Sequence, residues 1–309
     1  MNRFGYCCIN LTLQESEGVT TNRTMRRKTF DLKGLDYVSQ IVEQNTRDLI
    51  RLVEWNNHND IKLFRLSSEM CPWASEYSWE GLPGINAILD NLQKVGQIAK
   101  NGEQRLSFHP GPFNCLTSEN ESIVQNCLRD LKIHADLADM IELPRNHNCK
   151  INIHLGGAYG DREKAAETWC KNYEKLPDNI KSRLTVENDD RPNLFSTKML
   201  YELVHKRVGV PIVFDSHHFE CGPQDSTYSE AIDMAVSTWP DGIRPACHHS
   251  NSRQTFEDKD SLYSAHSDYY YKPFDSCGHS VDVALECKAK ELGLQDYLKK
   301  FISSPNSDN

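Results

Sequence analysis

Short apolar runs that each end on a polar side chain recur along this chain. Eight such runs occupy residues 4–10, 63–67, 105–109, 151–154, 184–187, 211–215, 243–248 and 281–286. Their final residues include His109, His154, Glu187, Asp215 and Glu286, which are side chains that can bind metal ions. The C-terminal strand ends of a (β/α)₈ barrel converge on one site. The pattern therefore predicts a TIM barrel, an α/β fold that collects these side chains, and a metal site, at the C-terminal strand ends.

Amphipathic stretches separate most of the runs and predict helical connections. These stretches cover residues 34–56, 84–100, 119–143, 161–176, 196–207, 228–238 and 287–302. Ser118 with Glu121 three residues later matches a capping box at the start of the third helix. Pro245 inside the seventh run predicts either a bulge or a strand that begins later. Strand–helix alternation favours one parallel-sheet domain over residues 1–302, followed by a disordered tail at 303–309.

Composition is that of an ordinary globular protein. The chain has 309 residues, of which 38% are hydrophobic and 26% are charged. We expect no membrane span and no targeting segment, because no apolar run is long enough and the first strand begins near residue 4. A cytoplasmic monomer is expected, associated with the nucleoid in a prokaryote or located in the nucleus of a eukaryote. The 11 cysteines form no zinc-binding pattern and are interpreted as reduced core thiols.

Three long loops follow predicted strands, at residues 10–33, 67–83 and 249–280, and should lie on the C-terminal face of the barrel. Loops of this length are often functional. Basic and aromatic side chains around one rim suit phosphate contacts and base stacking, although ordinary loop packing is the simpler alternative. The candidates are Arg23, Arg26, Arg27, Trp73, Arg253, Tyr269 and Lys272.

The formal charge of −9 is unusual for a nucleic-acid-binding protein. A cluster of divalent ions would change the local balance, since three ions would offset six of those charges where a phosphate must dock. Histidine mixed with carboxylates and no thiolate suits zinc, manganese or iron. Such a site can supply hydroxide near neutral pH and stabilise a phosphate that is being cleaved. No P-loop, dinucleotide-binding motif or nucleophile elbow competes with this interpretation.

A series of motifs resembles the UV damage endonuclease family. They are GYCCINLT at 5–12, NRT at 22–24, RLSS at 65–68, SFHPG at 107–111, HLGG at 154–157, ENDD at 187–190, FDSHH at 214–218, HSDY at 266–269 and ECKAKE at 286–291. They occur in order between about residues 4 and 293. The family is a TIM barrel related in architecture to endonuclease IV. The resemblance implies incision of double-stranded DNA immediately 5′ to UV photoproducts, and at abasic sites, with divalent ions, commonly manganese.

The resemblance also implies roles for individual side chains. The implied ligands are Glu187, Asp215, His248 and Glu286 for one ion, Glu187, His109 and His154 for a second, and His218 and His266, with Asp268 contributing, for a third. Glu187 would then bridge two ions. Tyr6 and Asn10 match positions beside the scissile bond, so they join Glu187 as catalytic candidates. Manganese is the expected metal, with zinc and magnesium as alternatives.

Two positions depart from the family pattern. Well-known members place Gln and an aromatic residue after the His-Pro-Gly run and insert the pair into DNA at the lesion, whereas this chain has Pro112 and Phe113. We expect the ring of Phe113 to act as a wedge without the amide. Better-studied members also have a lysine, reported as carboxylated, two positions before the histidine of strand seven, where this chain has Ala246.

Two other functions remain open at this point. The first is a sugar isomerase or epimerase on the same barrel, since those enzymes also use His, Glu and Asp at strand ends around one or two ions. The rim of arginines and aromatic rings is surplus to that task. The second is a lesion-binding module with a defective site, against which the complete ligand set argues. The fold alone does not decide between them.

Overall fold

A parallel β-barrel forms the centre of the computed structural model, which describes residues 2–303. The eight strands found there are β1 (Arg3–Cys7), β2 (Leu63–Arg65), β3 (Arg105–Ser107), β4 (Ile151–His154), β5 (Leu184–Glu187), β6 (Ile212–Asp215), β7 (Ala246–His249) and β8 (Asp282–Leu285). Their spatial order is β3-β2-β1-β8-β7-β6-β5-β4. A parallel bridge between Phe108 and Ile151 joins β3 to β4 and closes the ring. The predicted TIM barrel is confirmed.

Helices surround this barrel. They are α1 (Leu11–Glu17), α2 (Arg27–His58), α3 (Ile85–Asn101), α4 (Glu121–Met140), α5 (Arg162–Glu174), α6 (Asp178–Lys181), α7 (Thr197–Leu200), α8 (Lys206–Val208), α9 (Ser216–Cys221), α10 (Tyr228–Ser237), α11 (Arg253–Phe256) and α12 (Lys290–Tyr297). Wider π-helical turns at Tyr201–His205 and Leu298–Ile302 continue α7 and α12. Among residues 2–303, no helix combines the length and hydropathy needed to cross a bilayer.

The second helix starts earlier than its apolar pattern predicts. It begins at Arg27 instead of residue 34, and α1 occupies part of the predicted loop 10–33. Residues 27–33 are mostly polar and therefore carry no apolar period. Gly34 has φ 59°, which interrupts the helix at the point where the periodic pattern starts.

Helix caps show where local sequence rules worked and where they failed. The capping box predicted at Ser118 is wrong, because Asn120 caps α4 and its side chain accepts the N–H of Ser122. Asp161 does cap α5 by accepting the N–H of Lys164 at 3.0 Å. Strand β7 begins directly after Pro245, as the later-start interpretation predicts.

The two ends of the barrel differ in chemistry. At the N-terminal end, Arg105 and Asp282 form an ion pair of 2.8 Å with both side chains buried, and Arg3 also contacts Asp282. An apolar layer lies between strands and helices and includes the fully buried Trp169 and Phe214. The polar residues that end the strands therefore lie at the opposite, C-terminal end of the barrel. The tail predicted from residue 303 lies outside the described residues, apart from Ser303.

Candidate metal centre

The parallel register places the predicted ligands at one level. His154 pairs with Glu187 between β4 and β5, and Asp215 pairs with His248 between β6 and β7. His109 follows β3 by two residues, and Glu286 follows β8 directly. Because neighbouring parallel strands end side by side, these side chains converge at the C-terminal end of the barrel.

Glu187 lies at the centre of the cluster and is fully buried. Its Oε2 atom is 3.2 Å from His109 Nε2 and 3.0 Å from His248 Nδ1. Its Oε1 atom is 3.1 Å from His218 Nδ1. Within residues 2–303, two groups of three side chains bring their ligand atoms within 4.8 Å of one another, and both contain Glu187. These groups are His109–His154–Glu187 and Glu187–Asp215–His248.

Several buried polar atoms in the cluster have no hydrogen-bond partner in the described chain. They are Asp215 Oδ2, His154 Nδ1, Glu187 Oε1 and His248 Nδ1. The last two lie about 3 Å from other polar atoms of the cluster without hydrogen-bond geometry. Leaving such atoms unpaired costs about 1–3 kcal/mol each or more when charged. Lone pairs that converge without bonding to one another fit divalent cations, so the residues present could hold a metal ion.

The protonation states follow from burial and from the neighbouring charges. Burial opposes ionisation of Glu187, but His248, His109 and the other histidines outweigh it and hold the pKa of the carboxyl well below its usual range. Burial lowers the pKa of His109 to about 4 despite the nearby Glu187, which leaves the neutral imidazole that metal ions require. For His218, Asp215 and Glu187 overcome burial and raise the pKa well above its usual value. Acid should therefore oppose metal binding, because protons must leave this histidine.

Supporting side chains inside the barrel were missed by the sequence reasoning. Asn152 donates to Glu187 Oε2, and Lys150 Nζ lies 3.0 Å from His248 Nε2. Arg65 pairs with Glu286. Asn152 and His154 alternate along β4 and Lys150 directly precedes that strand, so a period of two counted back from His154 could have identified Asn152 and Lys150. Such contacts fix the orientation of ligands and tune their basicity.

The third predicted ligand set is less complete than the other two. The rings of His218 and His266 have centroids 6.3 Å apart. His266 Nδ1 contacts the backbone oxygen of Glu286 at 2.6 Å, which leaves Nε2 for a ligand. Asp268 instead forms a 2.9 Å ion pair with Arg253, and its side chain is nearly half exposed. The structure brings His218 to the cluster, places His266 beside it and turns Asp268 toward the rim.

Tyr6 and Asn10 do not face the cluster. The Tyr6 side chain points outward from β1 and donates to Asn56 of α2 at 2.8 Å. Asn10 donates to the Tyr6 hydroxyl at 3.0 Å and caps α1 through the N–H of Leu13. Both side chains are essentially fully buried. The resemblance implied that both side chains lie beside the scissile bond. Their contacts instead join α1 and α2 to the barrel.

Several rim arginines are already engaged. Arg23 forms a 2.7 Å ion pair with Asp48, and Arg27 pairs with Asp31 at 2.8 Å. Arg26 and Lys272 are exposed. Arg253 pairs with Asp268, as described above. The basic rim is therefore present, but only part of its charge is available without rearrangement.

The aromatic candidates line the same open end. An open cleft of about 930 Å³ runs from His109 between Trp73 and Phe113. Trp73 is half-buried and donates its indole N–H to the Met25 oxygen at 3.1 Å. Phe113 is 87% exposed and follows the exposed Pro112, so protein covers only a small part of its ring. Tyr269 is 39% exposed.

Comparison with known proteins identifies the chain's relatives. The family model for UV-endonuclease UvdE matches residues 2–305. This chain belongs to that family. It is 32% identical over 310 residues to the UV-damage endonuclease of Schizosaccharomyces pombe, covering 97% of this chain but only half of that protein. It is 32% identical over 302 residues to the UV DNA damage endonuclease of Bacillus cereus strain B4264, covering 94% and 92% of the two chains.

Solved structures support the same assignment. The crystal structure of SacUVDE superposes with a TM-score of 0.82 at 27% identity and covers 97% of both chains. The D-psicose 3-epimerase of Clostridium cellulolyticum H10 has a TM-score of 0.51 at 13% identity over 77% of this chain. The second likeness concerns the barrel fold alone. Membership in the UvdE family therefore favours DNA over sugar chemistry at this candidate site.

Proposed function

We propose that this UvdE-family chain is a metal-dependent DNA repair endonuclease that acts as a monomer. It cuts the phosphodiester immediately 5′ to cyclobutane dimers and 6-4 photoproducts, and also at abasic sites. Water is the nucleophile, and the products carry a 3′-hydroxyl and a 5′-phosphate. The observation that carries the proposal is the buried carboxylate of Glu187, which belongs to both potential metal-binding groups.

Three divalent ions are proposed for the cluster. Manganese is the expected metal, and zinc and magnesium are the alternatives. Glu187, Asp215, His248 and Glu286 would hold the first ion, Glu187, His109 and His154 the second, and His218 and His266 the third. Divalent ions supply hydroxide near neutral pH and neutralise charge on phosphate oxygens. Histidine-rich ligands disfavour a pure magnesium site, which usually takes oxygen ligands.

The chain's own side chains keep this arrangement in place. Asn152 fixes the Oε2 atom of Glu187, so the carboxylate keeps the orientation that both ligand groups share. The Oδ1 atom of Asp215 accepts the N–H groups of His217 and His218 at 2.8 Å, which leaves Oδ2 for a ligand. Preorganised groups of this kind need little rearrangement when the substrate binds.

The rim is proposed to hold the DNA. Arg23, Arg26, Arg27, Arg253 and Lys272 would contact phosphates, and Trp73 and Tyr269 would stack on bases or sugars. Arg23, Arg27 and Arg253 must exchange their present carboxylate partners for phosphates, an exchange that keeps each guanidinium paired. Pro112 and Phe113 form the wedge that enters the damaged step. Insertion of Phe113 breaks few contacts within the protein, because its ring is already exposed in the absence of DNA.

One incision experiment separates the candidate functions. The manganese-loaded protein is incubated with an end-labelled duplex that carries a single cyclobutane dimer, and the nick is mapped at nucleotide resolution. We expect one cut directly 5′ to the dimer, no cut in the undamaged duplex and no cut after chelation. Binding without cutting would favour the lesion-binding module, and conversion of ketose sugars without DNA binding would favour the epimerase.

A further inference from the structure

Tyr159 is an exposed aromatic residue that none of the proposed contacts uses. Its side chain is 68% exposed, second only to Phe113 among the aromatic residues of the described chain. Its backbone has φ 49°, in the left-handed region that aromatic residues rarely adopt. An exposed ring gains little from burial, and a strained backbone costs about 1–3 kcal/mol, so stability does not account for this residue. Such strain is found at binding sites more often than elsewhere.

The ring belongs to a loop that starts at one of the proposed metal ligands. Tyr159 lies in the loop after β4, five residues beyond the proposed ligand His154. Its ring atoms come within 3.1–3.4 Å of the position that a Cβ on Gly157 would occupy. A side chain at this glycine would crowd the ring, which lies against its own loop and keeps most of its surface open to solvent. An exposed aromatic ring can stack on a nucleobase.

This loop forms one unit with the loop that carries Phe113. Gly156 has φ 106°, and a Cβ there would lie 3.3 Å from the Cα of Cys115, so the two backbones touch. Asn172 of α5 donates to the Leu116 oxygen at 2.9 Å and holds the Phe113 loop against that helix. The two most exposed aromatic rings of the described chain thus project from adjoining loops after β3 and β4.

We propose that Tyr159 is a second stacking site, which holds an unpaired nucleobase next to the scissile phosphate while Phe113 fills the gap in the duplex. This inference rests on the proposed function, because it takes damaged DNA as the substrate. A cleft of about 290 Å³ borders the ring, and its polar lining is formed by Thr117, Ser118, Glu119, Asp161, Lys164 and Thr168. Lys164 already pairs with Glu119 at 2.9 Å, so the hydroxyl groups are the donors and acceptors that suit the polar edge of a displaced base. Paired bases hide their faces, so Tyr159 should distinguish unpaired from paired DNA.

The test compares Tyr159→Leu with Tyr159→Phe by equilibrium binding. Fluorescence anisotropy gives the dissociation constant for a duplex with one cyclobutane dimer, a single strand of the same sequence and the fully paired undamaged duplex. Leucine removes the ring without adding a β-branch, and phenylalanine keeps it. We expect Tyr159→Leu to weaken binding of the dimer duplex and the single strand roughly tenfold, within the range for one stacked base. Binding of the paired duplex should change less than twofold, and Tyr159→Phe should match wild type on all three.

Metal content and melting temperature are measured for each variant. A loss of either in Tyr159→Leu would show that the ring only supports the His154 loop, and would overturn the proposal. Unchanged binding of all three DNAs, or an equal loss on the paired duplex, would also overturn it. The binding assay needs no cleavage. If wild-type protein fails to nick damaged DNA, the proposed function fails, while the comparison of paired and unpaired DNA still decides the role of Tyr159.

Discussion

Phe113→Ala separates a wedge from a packing residue, and the structure sets the size of both effects. An aromatic side chain presents about 200 Å² of surface. Since 87% of Phe113 is exposed, only a small part of that surface is covered by protein. At about 25 cal/mol per Å² the truncation should cost less than about 1 kcal/mol of unfolding free energy. The melting temperature should therefore stay within a few degrees of wild type.

The expected loss on DNA is larger. Stacking on one base is worth about 1–3 kcal/mol, so incision of a dimer duplex should fall roughly 5- to 150-fold. An abasic site already lacks one base and needs less unstacking, so we expect a much smaller loss there. The assay is the single-turnover rate on two matched duplexes, one with a cyclobutane dimer and one with an abasic site, at the same manganese concentration.

Two further substitutions control this comparison. Phe113→Tyr keeps an aromatic face and should incise both substrates nearly normally. Phe113→Leu keeps the apolar volume without the ring and should behave more like Phe113→Ala on the dimer. Equal losses on both substrates, together with a lower melting temperature, would refute the wedge and make Phe113 a structural residue. A dimer rate within twofold of wild type for all three variants would refute it as well.

Three other predictions address the candidate metal centre, the rim and the N-terminal end of the barrel. Glu187→Gln should abolish incision and lower metal content while the circular dichroism spectrum is retained, and near-normal nicking by this variant would disprove the ligand assignment. Binding to undamaged DNA should weaken with salt with a log–log slope of about −3.6 for roughly four neutralised phosphates, whereas a slope near zero would exclude the basic rim. His147 lies just before β4, and its backbone oxygen accepts a hydrogen bond from Arg105 at 2.8 Å. Burial, assisted by the charge of Arg105, lowers the pKa of His147 to about 4. Because this folded pKa lies below the unfolded value near 6.5, the stabilisation is complete above pH 6.5 and is lost as the pH falls toward 4. His147→Gln should therefore lose about 1–2 kcal/mol less unfolding free energy than wild type between pH 7 and pH 5, measured by urea denaturation, and parallel losses would contradict the assignment.

The convergence of the strand-end side chains could be predicted from sequence because their position is tied to the end of an apolar run. His154, Glu187 and Asp215 each close such a run, and the barrel fold brings strand ends together whatever the loop lengths are. Asp268 lacks this anchor. It lies in the loop before β8, and the sequence does not show that Arg253 is its partner. Pairing between two loop residues depends on how the loop folds back.

The direction of a side chain within a strand was harder to predict. Barrel strands are buried on both faces, so the apolar pattern does not distinguish the interior from the helix layer. The resemblance put Tyr6 at the site, and the apolar pattern of its strand gave no sign that the side chain points toward α2. Lys150 and Asn152, in contrast, lie at the site but were not predicted from the sequence. They point into the interior beside the metal centre, but as polar residues at a strand start they gave no signal until the facing of His154 was known.

Ala246 stands where the resemblance expects a lysine, and an interior side chain of β4's entry, Lys150, bears on this difference. Ala246 packs with Val213 and Trp239, so the position where the resemblance expects a lysine is apolar. A lysine does reach the same histidine from the other side of the barrel, since Lys150 contacts Nε2 of His248. That nitrogen faces away from Glu187 and Glu286, which lie near Nδ1. Lys150 can therefore orient the ring but does not lie between the two ligand groups. Among the described residues, Glu187 is the one that belongs to both ligand groups. Removal of its carboxylate charge should therefore disturb both groups together.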